Sequence, residues 1–305
     1  MEESKGPKMA YRYLGNSGLR VSVLSYGTWL TAHDPDSERA IIDCVKASYA
    51  AGVNFFDTAE IYGAGVAETI LGKAIKELPC ERKDIVVSSK YMKCGDGPND
   101  RMCGKKHIYE GVRASLKRMD LDYFDVVFSH RPDDYTPLEE TCRAFDAIIR
   151  DGLAFYWATS EWSSARITRA IEICKRLNLH EPIADQCQYH ALHRERPEEG
   201  YRPVYEDYGY GTTIWSPLAG GVLTGKYNEG VAPEGSRYND NSFAKNAIWP
   251  SYFGTDELKE KNTKILKGLK EIADEVGCTQ AQLAIAWVIV NKDISTCIFG
   301  ATKVS

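Results

Sequence analysis

Four polar side chains with complementary chemistry lie at or just beyond the ends of three consecutive β-rich segments: Asp57, Tyr62, Lys90 and His130. Together these residue types suit the reduction of a carbonyl group, because the oxygen needs a proton when a hydride reaches its carbon. Tyr62 is the predicted proton donor, since a cation beside a phenol eases the loss of its proton. Lys90 would supply that charge, Asp57 would keep the ammonium in place, and His130 would orient the carbonyl oxygen by a hydrogen bond.

Each of these residues also has an ordinary structural explanation. A single buried tyrosine usually belongs to the core, a lysine–aspartate pair is usually structural or exposed, and a lone histidine is usually structural. Four such residues at three successive strand ends favour an active site. A lyase or isomerase with a Schiff base on Lys90 is an alternative, but it leaves Tyr62 and the aromatic Trp215 without a role.

Eight β-rich segments alternate with segments of helical period, which is typical of parallel strands joined by crossover helices. The segments are Val23–Tyr26, Val53–Asp57, Ile85–Lys90, Tyr123–His130, Ala154–Thr159, Ile183–Gln188, Gly211–Trp215 and Ser295–Gly300. An open doubly wound sheet normally carries a GxGxxG loop after its first strand, whereas residues 26–29 read Tyr-Gly-Thr-Trp. We therefore predict an α/β fold, a (β/α)8 TIM barrel whose strand ends carry the catalytic side chains.

Two features lie outside this alternation. Tyr11–Leu14 and Leu19–Ser22 flank a Gly-Asn-Ser-Gly turn and should form an N-terminal β-hairpin lid on the bottom of the barrel. A long loop should connect the seventh and eighth strands, and loops of such length are usually functional. Residues 1–10 are expected to be a flexible tail, followed by a single domain over residues 11–305.

Helix boundaries are marked by capping signals. Within the long connection, helices are predicted over Thr255–Val276 and Thr279–Val290, the second with a capping box at Thr279. Thr136-Pro137-Leu138-Glu139 predicts another capping box, with Pro137 at the first helical position.

Composition excludes several classes of protein. The formal net charge is −5 and no stripe of Lys and Arg is present, which argues against a nucleic-acid partner. The N-terminus lacks an apolar signal segment, and no stretch is long enough for a membrane span. The nine cysteines are odd in number and form no CxxC pair, which favours reduced thiols in the cytoplasm. We therefore expect a cytoplasmic protein without membrane insertion.

Two weaker signals involve metal-binding or reactive residue types. His190-x-x-His193 lacks a carboxylate or cysteine at helical spacing, so supporting or surface histidines are favoured over a metal site. Cys94 and Cys103 lie in a loop near the predicted site entrance. A redox-sensing role is an alternative for them, but simple exposed thiols are the favoured interpretation.

Four motifs give the chain a resemblance to a known family. They are Gly15-x-Ser17-Gly18-Leu19-x-Val21-Ser22, Asn54-Phe55-Phe56-Asp57-Thr58-Ala59-Glu60-x-Tyr62, His130-Arg131-Pro132-Asp133 and Trp215-Ser216-Pro217-Leu218-Ala219-x-Gly221. They resemble the aldo-keto reductases, and more narrowly the branch of the voltage-gated potassium channel β subunits and their plant and fungal relatives. The resemblance implies NADP(H) as cofactor and a small carbonyl substrate, with direct hydride transfer and no metal.

The resemblance also implies residue roles. The tetrad named above matches the family's catalytic residues; Ser160 and Gln186 match those that hold the nicotinamide carboxamide, and Trp215 matches the ring that stacks on it. The other matched cofactor residues are Asp57, Thr28, Trp29, Ser216, Pro217, Leu218, Ala219, Gly220, Lys226, Arg237, Gly300 and Thr302, with Lys303 placed to add charge near a 2′-phosphate. Trp29, Tyr62, Tyr91, His130, Arg131 and Trp162 are expected to line an aromatic or apolar substrate pocket.

Three departures from the family pattern bear on function. Animal channel subunits carry Asn in place of His130 and Arg in place of Glu161, so the chain resembles an active reductase more than a channel-binding protein. A regulatory, NADP(H)-binding β subunit of a potassium channel is the alternative, and a tetramer is the implied assembly. The family continues past the Gly-Ala-Thr segment into an eighth barrel helix, whereas this sequence stops at Ser305. We therefore expect that helix to be absent, leaving an uncovered apolar face and weaker cofactor binding.

Overall fold

The computed structural model describes residues 8–29, 37–241 and 243–304. The predicted tail over residues 1–10 therefore lies mostly outside the described residues. Contacts group the chain into a barrel unit (Met1–Cys187, Glu195–Trp215 and Asp293–Ser305) and a second unit (Gln188–Arg194 and Ser216–Lys292). No helix within the described residues is both long and apolar enough to cross a membrane.

The strands of the barrel unit are β1 (Tyr11–Tyr13), β2 (Arg20–Ser22), β3 (Leu24–Gly27), β4 (Phe55–Asp57), β5 (Val86–Tyr91), β6 (Phe124–Ser129), β7 (Ala154–Ser160), β8 (Ala184–Gln188), β9 (Gly211–Trp215) and β10 (Thr296–Phe299). Strands β3 to β10 form a closed parallel barrel, and β10 closes it by pairing with both β3 and β9. Each of the eight predicted segments overlaps one of these strands. The predicted (β/α)8 barrel is therefore confirmed.

The N-terminal hairpin closes the bottom of the barrel. Strands β1 and β2 pair antiparallel, and the hairpin residues Leu14 and Val21 are fully buried in one cluster with Phe55 and other apolar residues of the barrel strands. Gly15 has a φ of +57°, and a Cβ there would collide with backbone atoms of Ile183 and Gly211. Only glycine permits this close approach. The predicted hairpin is confirmed, and its tight turn fits against the starts of strands.

The helices of the barrel unit are α1 (Glu38–Ala50), α2 (Val66–Lys76), α3 (Lys105–Met119), α4 (Leu138–Arg150), α5 (Ser164–Leu177) and α6 (Arg202–Tyr208). They are amphipathic: α3, for example, buries Ile108, Val112, Leu116 and Met119 along one face. Ser163 accepts a hydrogen bond from the Arg166 backbone N–H and so caps α5. These helices connect successive strands and hold the strand ends in place.

The second unit contains α7 (Arg237–Asp240), α8 (Pro250–Phe253), α9 (Asp256–Val276) and α10 (Gln280–Val290). The two predicted long helices are therefore confirmed. The unit has its own apolar core, which includes stacked and edge-packed rings of Tyr227, Tyr238, Trp249 and Phe253. The long connection is thus a compact, folded unit.

The two predicted capping boxes had different outcomes. Thr279 forms one as predicted, because its hydroxyl accepts from the Gln282 N–H and the Gln282 side chain accepts from the Thr279 N–H. The prediction at Thr136 was wrong: Pro137 is the N-cap of α4 and makes no side-chain capping bond. Asp133 instead accepts the backbone N–H of Thr136 at 3.2 Å, so an upstream carboxylate organises this turn.

Candidate active site

A buried ion pair between Asp57 and Lys90 lies at the carboxyl ends of β4 and β5. The Lys90 Nζ atom is 2.5 Å from Asp57 Oδ2 and donates a second hydrogen bond of 2.7 Å to the Thr58 carbonyl oxygen. Lys90 is fully buried and Asp57 almost so. Two charges tolerate such burial only when each compensates the other and their remaining hydrogen-bonding groups are satisfied.

The second carboxylate oxygen of Asp57 is also occupied. Asp57 Oδ1 accepts from Ser88 Oγ at 2.7 Å and from Gln186 Nε2 at 3.2 Å. Ser88 lies two residues before Lys90 on β5, so both side chains face the same side of the strand. Asp57 is therefore held by three neighbours, and the position of the Lys90 ammonium is fixed in turn.

Tyr62 begins a tight turn five residues after the end of β4. Gly63 and Ala64 in this turn have positive φ angles of 56° and 52°, which redirect the chain toward α2. The Tyr62 ring centroid lies 4.8 Å from Lys90 Nζ. Burial raises the pKa of Tyr62, whereas Lys90 acts in the opposite direction. The phenol therefore stays protonated until an acceptor approaches, and the nearby cation is placed to stabilise the phenolate left behind.

His130 follows the last residue of β6, and its ring packs edge-on to Tyr62 with 5.8 Å between centroids. Burial, then the charges of Lys90 and Arg131, lower the pKa of His130 well below its usual range. The imidazole is therefore neutral near pH 7. A neutral ring is a hydrogen-bond donor but a poor acid, which leaves Tyr62 as the proton source.

Trp215, the last residue of β9, is held by a residue whose role the sequence did not reveal. Its indole Nε1 donates a hydrogen bond of 2.8 Å to Glu161 Oε1, while Glu161 Oε2 pairs with Arg196 at 3.2 Å. Glu161 has a φ of 60°, which turns the chain sharply after β7. In the sequence, Glu161 stands out only as a departure from the family pattern. In the structure it fixes the orientation of Trp215.

The remaining predicted cofactor residues of the barrel unit lie at or beyond strand ends. Ser160 Oγ donates to the Gln186 carbonyl at 2.8 Å and accepts from Arg131 at 3.0 Å. The Thr28 hydroxyl donates to Thr58 Oγ1 at 2.9 Å. Trp29 packs edge-on to Trp215, with 5.8 Å between ring centroids. The structure thus brings Trp29, Ser160, Gln186 and Trp215 to the same end of the barrel as the tetrad.

The segment after β10 is open to solvent. Gly300, Thr302 and Lys303 are exposed, and the Ala301 carbonyl accepts a hydrogen bond from Tyr26 at 2.9 Å. This contact anchors the segment to β3. Gly300, Thr302 and Lys303 therefore remain accessible to a ligand.

In the second unit, residues 216–226 form a compact turn of unusual backbone. Ser216, Ala219, Gly220, Gly221 and Gly225 all have positive φ angles. The Ser216 hydroxyl accepts from the Gly220 N–H at 2.8 Å, and the Arg237 guanidinium donates to the Gly220 carbonyl at 3.2 Å. Pro217 and Ala219 are buried, Leu218 is partly buried and Lys226 is exposed. Arg237, which lies further along the chain, is therefore attached to this loop.

A protein-family model, described as the aldo/keto reductase family, matches residues 23–305. The match covers nearly the whole chain. This chain belongs to the aldo/keto reductase family. Membership in this family implies an oxidoreductase, and members of the family generally bind NADP(H).

Three curated proteins are similar to this aldo/keto reductase over most of their length. A "Probable voltage-gated potassium channel subunit beta" from Oryza sativa subsp. japonica is 48% identical over 295 residues, covering 97% of this chain and 88% of the relative. A protein of the same name from Arabidopsis thaliana is 48% identical over 303 residues, with coverage of 97% and 88%. A "Putative voltage-gated potassium channel subunit beta" from Schizosaccharomyces pombe is 45% identical over 302 residues, with coverage of 96% and 84%. The resemblance to this branch is thus confirmed.

Two of the residues expected to line the substrate pocket of this aldo/keto reductase are fully buried. Tyr91 is fully buried and packs against Gly111 of α3, because it points away from the side of β5 that carries Lys90. Trp162 is also fully buried, with its backbone N–H bonded to Asp185. Trp29, Tyr62, His130 and Arg131 are partly exposed.

The two loop cysteines differ from each other. Cys94 is exposed, as expected. Cys103 is fully buried, and burial raises its pKa to about 12, so the expectation of an exposed thiol was wrong there. Its sulfur contacts Ser129 Oγ at 3.3 Å, and its backbone N–H donates to Asp133. Cys103 is therefore an inert packing residue.

His190 is fully buried, so of the two expected alternatives it is a supporting histidine and not a surface one. Its Nδ1 atom accepts from the Leu192 N–H at 3.2 Å, and its Nε2 atom lies 3.2 Å from the Tyr252 hydroxyl. Burial lowers the pKa of His190 to about 3. His190 is therefore neutral in the folded protein, whereas an unfolded histidine takes up a proton near pH 6.5.

We expect stability to fall as the pH drops from about 6.5 toward 3, because the unfolded chain then binds more protons than the folded one. The contribution of His190 to this change in the free energy of unfolding should be about 1.4 kcal/mol per pH unit. Urea unfolding at two pH values in this window measures it: the pH dependence should be smaller by that amount in His190→Gln than in the wild type. Equal pH dependence in the wild type and His190→Gln would contradict the assignment.

Proposed function

We propose that the protein reduces aldehydes and ketones to alcohols with NADPH, and that Tyr62 is the general acid. The observation that carries the proposal is the buried Lys90 ammonium, which is paired with Asp57 and lies 4.8 Å from the Tyr62 ring centroid. A fixed cation in a desolvated site stabilises the phenolate that forms as the proton leaves. This is the electrostatic requirement for a tyrosine to act as an acid near neutral pH.

Each member of the tetrad then has one task. Bound NADPH would supply the hydride for the carbonyl carbon. Tyr62 donates its proton to the carbonyl oxygen, and Lys90 stabilises the phenolate. Neutral His130 donates an N–H to the same oxygen and fixes its direction. Asp57 acts through Lys90, which it keeps charged and in place.

The described residues fit a nicotinamide dinucleotide. Trp215 offers a partly exposed indole whose orientation is fixed by Glu161, which suits stacking against a flat ring. Ser160 and Gln186 carry the polar groups that an amide needs. In the second unit, the loop over residues 216–226 carries the exposed cation Lys226 and accepts a hydrogen bond from Arg237, and cations of this kind pair with a pyrophosphate. We assign the adenosine phosphate to Gly300, Thr302 and Lys303.

The names of the three relatives favour a second candidate, a regulatory subunit that binds NADP(H) and docks on a potassium channel. His130 supports the enzyme, because a neutral histidine beside Tyr62 completes a working acid site. Co-purification with a membrane channel, together with no turnover, would favour the regulatory role.

A Schiff-base mechanism is disfavoured, because Lys90 Nζ is held as an ammonium by two oxygen acceptors. Borohydride with a carbonyl substrate should trap no adduct.

The direct test is NADPH oxidation in the presence of a reactive aromatic aldehyde, followed by absorbance. We expect the alcohol to form in a one-to-one ratio with the NADPH consumed. A deuteride at the transferable position of the nicotinamide should appear on the carbinol carbon of the product. Loss of the label to water would exclude direct hydride transfer.

Cofactor preference is tested by titrating NADPH and NADH against tryptophan fluorescence. NADPH should bind more tightly, and Lys303→Gln should weaken NADPH binding about tenfold, or about 1.4 kcal/mol, while leaving NADH unchanged. Lys303 is exposed after β10, where a 2′-phosphate would add charge. Lys292→Gln, at another exposed lysine, is the control. Equal affinities of the wild type for both nucleotides would overturn the assignment of NADPH.

A further inference from the structure

A second cluster of reactive side chains lies outside the proposed carbonyl site. It consists of Glu60 after β4, Cys94 after β5 and His107 on α3. His107 Nε2 lies 3.0 Å from Glu60 Oε1, and Cys94 Sγ lies 3.9 Å from His107 Nδ1. One donor atom from each residue lies within 4.8 Å of the other two. Glu60 and His107 are buried, whereas Cys94 is exposed.

The charge of Glu60 is incompletely compensated within this cluster. Its Oε1 atom accepts from the Met92 backbone N–H at 2.8 Å and faces His107. Its Oε2 atom is buried and has no hydrogen-bond partner among the described residues. The ion pairs of the described residues give Glu60 no lysine or arginine. A buried carboxylate with such surroundings is stabilised by a cation, and bound metal ions are one common source.

We propose that Glu60, Cys94 and His107 bind a zinc-class divalent ion. Thiolate, imidazole and carboxylate are the three donor types that zinc takes, and a water molecule would complete four ligands. Donors around one zinc ion lie about 3.3–3.7 Å apart by the usual bond lengths. The Glu60 Oε1–His107 Nε2 contact of 3.0 Å is shorter than this because it is a hydrogen bond, whereas Cys94 Sγ lies nearest the other ring nitrogen at 3.9 Å. A bound ion would replace that hydrogen bond, and rotation of the exposed Cys94 side chain would bring its sulfur into range.

The site would be connected to the tetrad through the backbone. Glu60 lies between Asp57 and Tyr62, and its N–H donates to the Lys90 carbonyl at 3.2 Å. Met92, whose N–H binds the Glu60 carboxylate, follows β5 two residues after Lys90. Metal binding therefore anchors the same two segments that hold the proposed acid and its cation.

The test is a titration of metal-free full-length protein with Co²⁺, a spectroscopic substitute for zinc. The wild type should bind one ion with a thiolate-to-cobalt charge-transfer band, and Zn²⁺ should displace it. Cys94→Ser should abolish the band, and His107→Gln should weaken binding at least tenfold. Cys278→Ser, at a partly exposed thiol of the second unit, should leave binding unchanged.

A second measurement needs no variant that might fail to fold. Zn²⁺ should protect Cys94 from alkylation by iodoacetamide in the wild type, as read by peptide mass spectrometry, with Cys278 modified equally in both arms. Absence of a charge-transfer band in the wild type would overturn the proposal. A band retained in Cys94→Ser, or alkylation of Cys94 unaffected by Zn²⁺, would do the same.

Discussion

Tyr62→Phe should lower kcat for NADPH-dependent aldehyde reduction by about 10²- to 10⁴-fold, the usual contribution of a positioned general acid. The substitution removes one hydroxyl and retains the ring that packs against His130. NADPH affinity and the thermal unfolding temperature should therefore change little. The loss should appear in kcat and in kcat/KM together, because the hydroxyl acts in the transition state.

Tyr135→Phe is the matched control, since this tyrosine is 85% exposed. It should retain full activity. An unchanged rate in Tyr62→Phe would show that another group supplies the proton. A joint loss of activity and of the folded state would point to a structural role for the hydroxyl instead.

Lys90→Met should abolish activity and also lower the free energy of unfolding by about 3–5 kcal/mol, the cost of leaving one partner of a buried ion pair alone. The stranded group is Asp57, which is almost fully buried. Ser88 and Gln186 would still donate hydrogen bonds to it, but they carry no positive charge. Urea denaturation of the wild type and the variant at pH 7 measures the loss.

The double variant Asp57→Asn with Lys90→Met separates stability from catalysis. Removing both charges should restore most of the lost stability, because no uncompensated charge remains buried. Activity should stay absent, because no cation is left beside Tyr62. Full stability of Lys90→Met alone would contradict the assignment. A double variant that loses more free energy of unfolding than the two single variants lose together would also contradict it.

The sequence was sufficient to predict the elements of the barrel and which polar side chains its strand ends bring together. The barrel follows from eight β-rich segments separated by amphipathic ones, because parallel strands need crossover helices. Asp57, Lys90 and His130 were found by their positions at or just past strand ends, and the fold brings those ends together. These inferences needed only the chain order and the period of the pattern.

Other features depend on contacts that a linear pattern does not contain. Glu161 binds Trp215 because its backbone adopts a left-handed conformation, which is held by bonds from its N–H to β8. Trp162 is fully buried, and its backbone N–H donates to Asp185, a residue of another strand. The orientation of Tyr91 could have been predicted from the sequence. Since Lys90 points into the barrel, strand alternation places the Tyr91 side chain outside it.

Because the hairpin closes the bottom of the barrel, the two ends of the barrel are subject to different constraints. Leu14 and Val21 complete the core there. The backbone at Gly15 lies so close to Ile183 and Gly211 that no side chain larger than that of glycine fits at this position. The apolar side chains of the hairpin fill that end, whereas the proposed tetrad lies at the opposite one. Loops at the open end can therefore diversify in substrate range during evolution at little cost to the folded state. The closed end, in contrast, should tolerate few insertions.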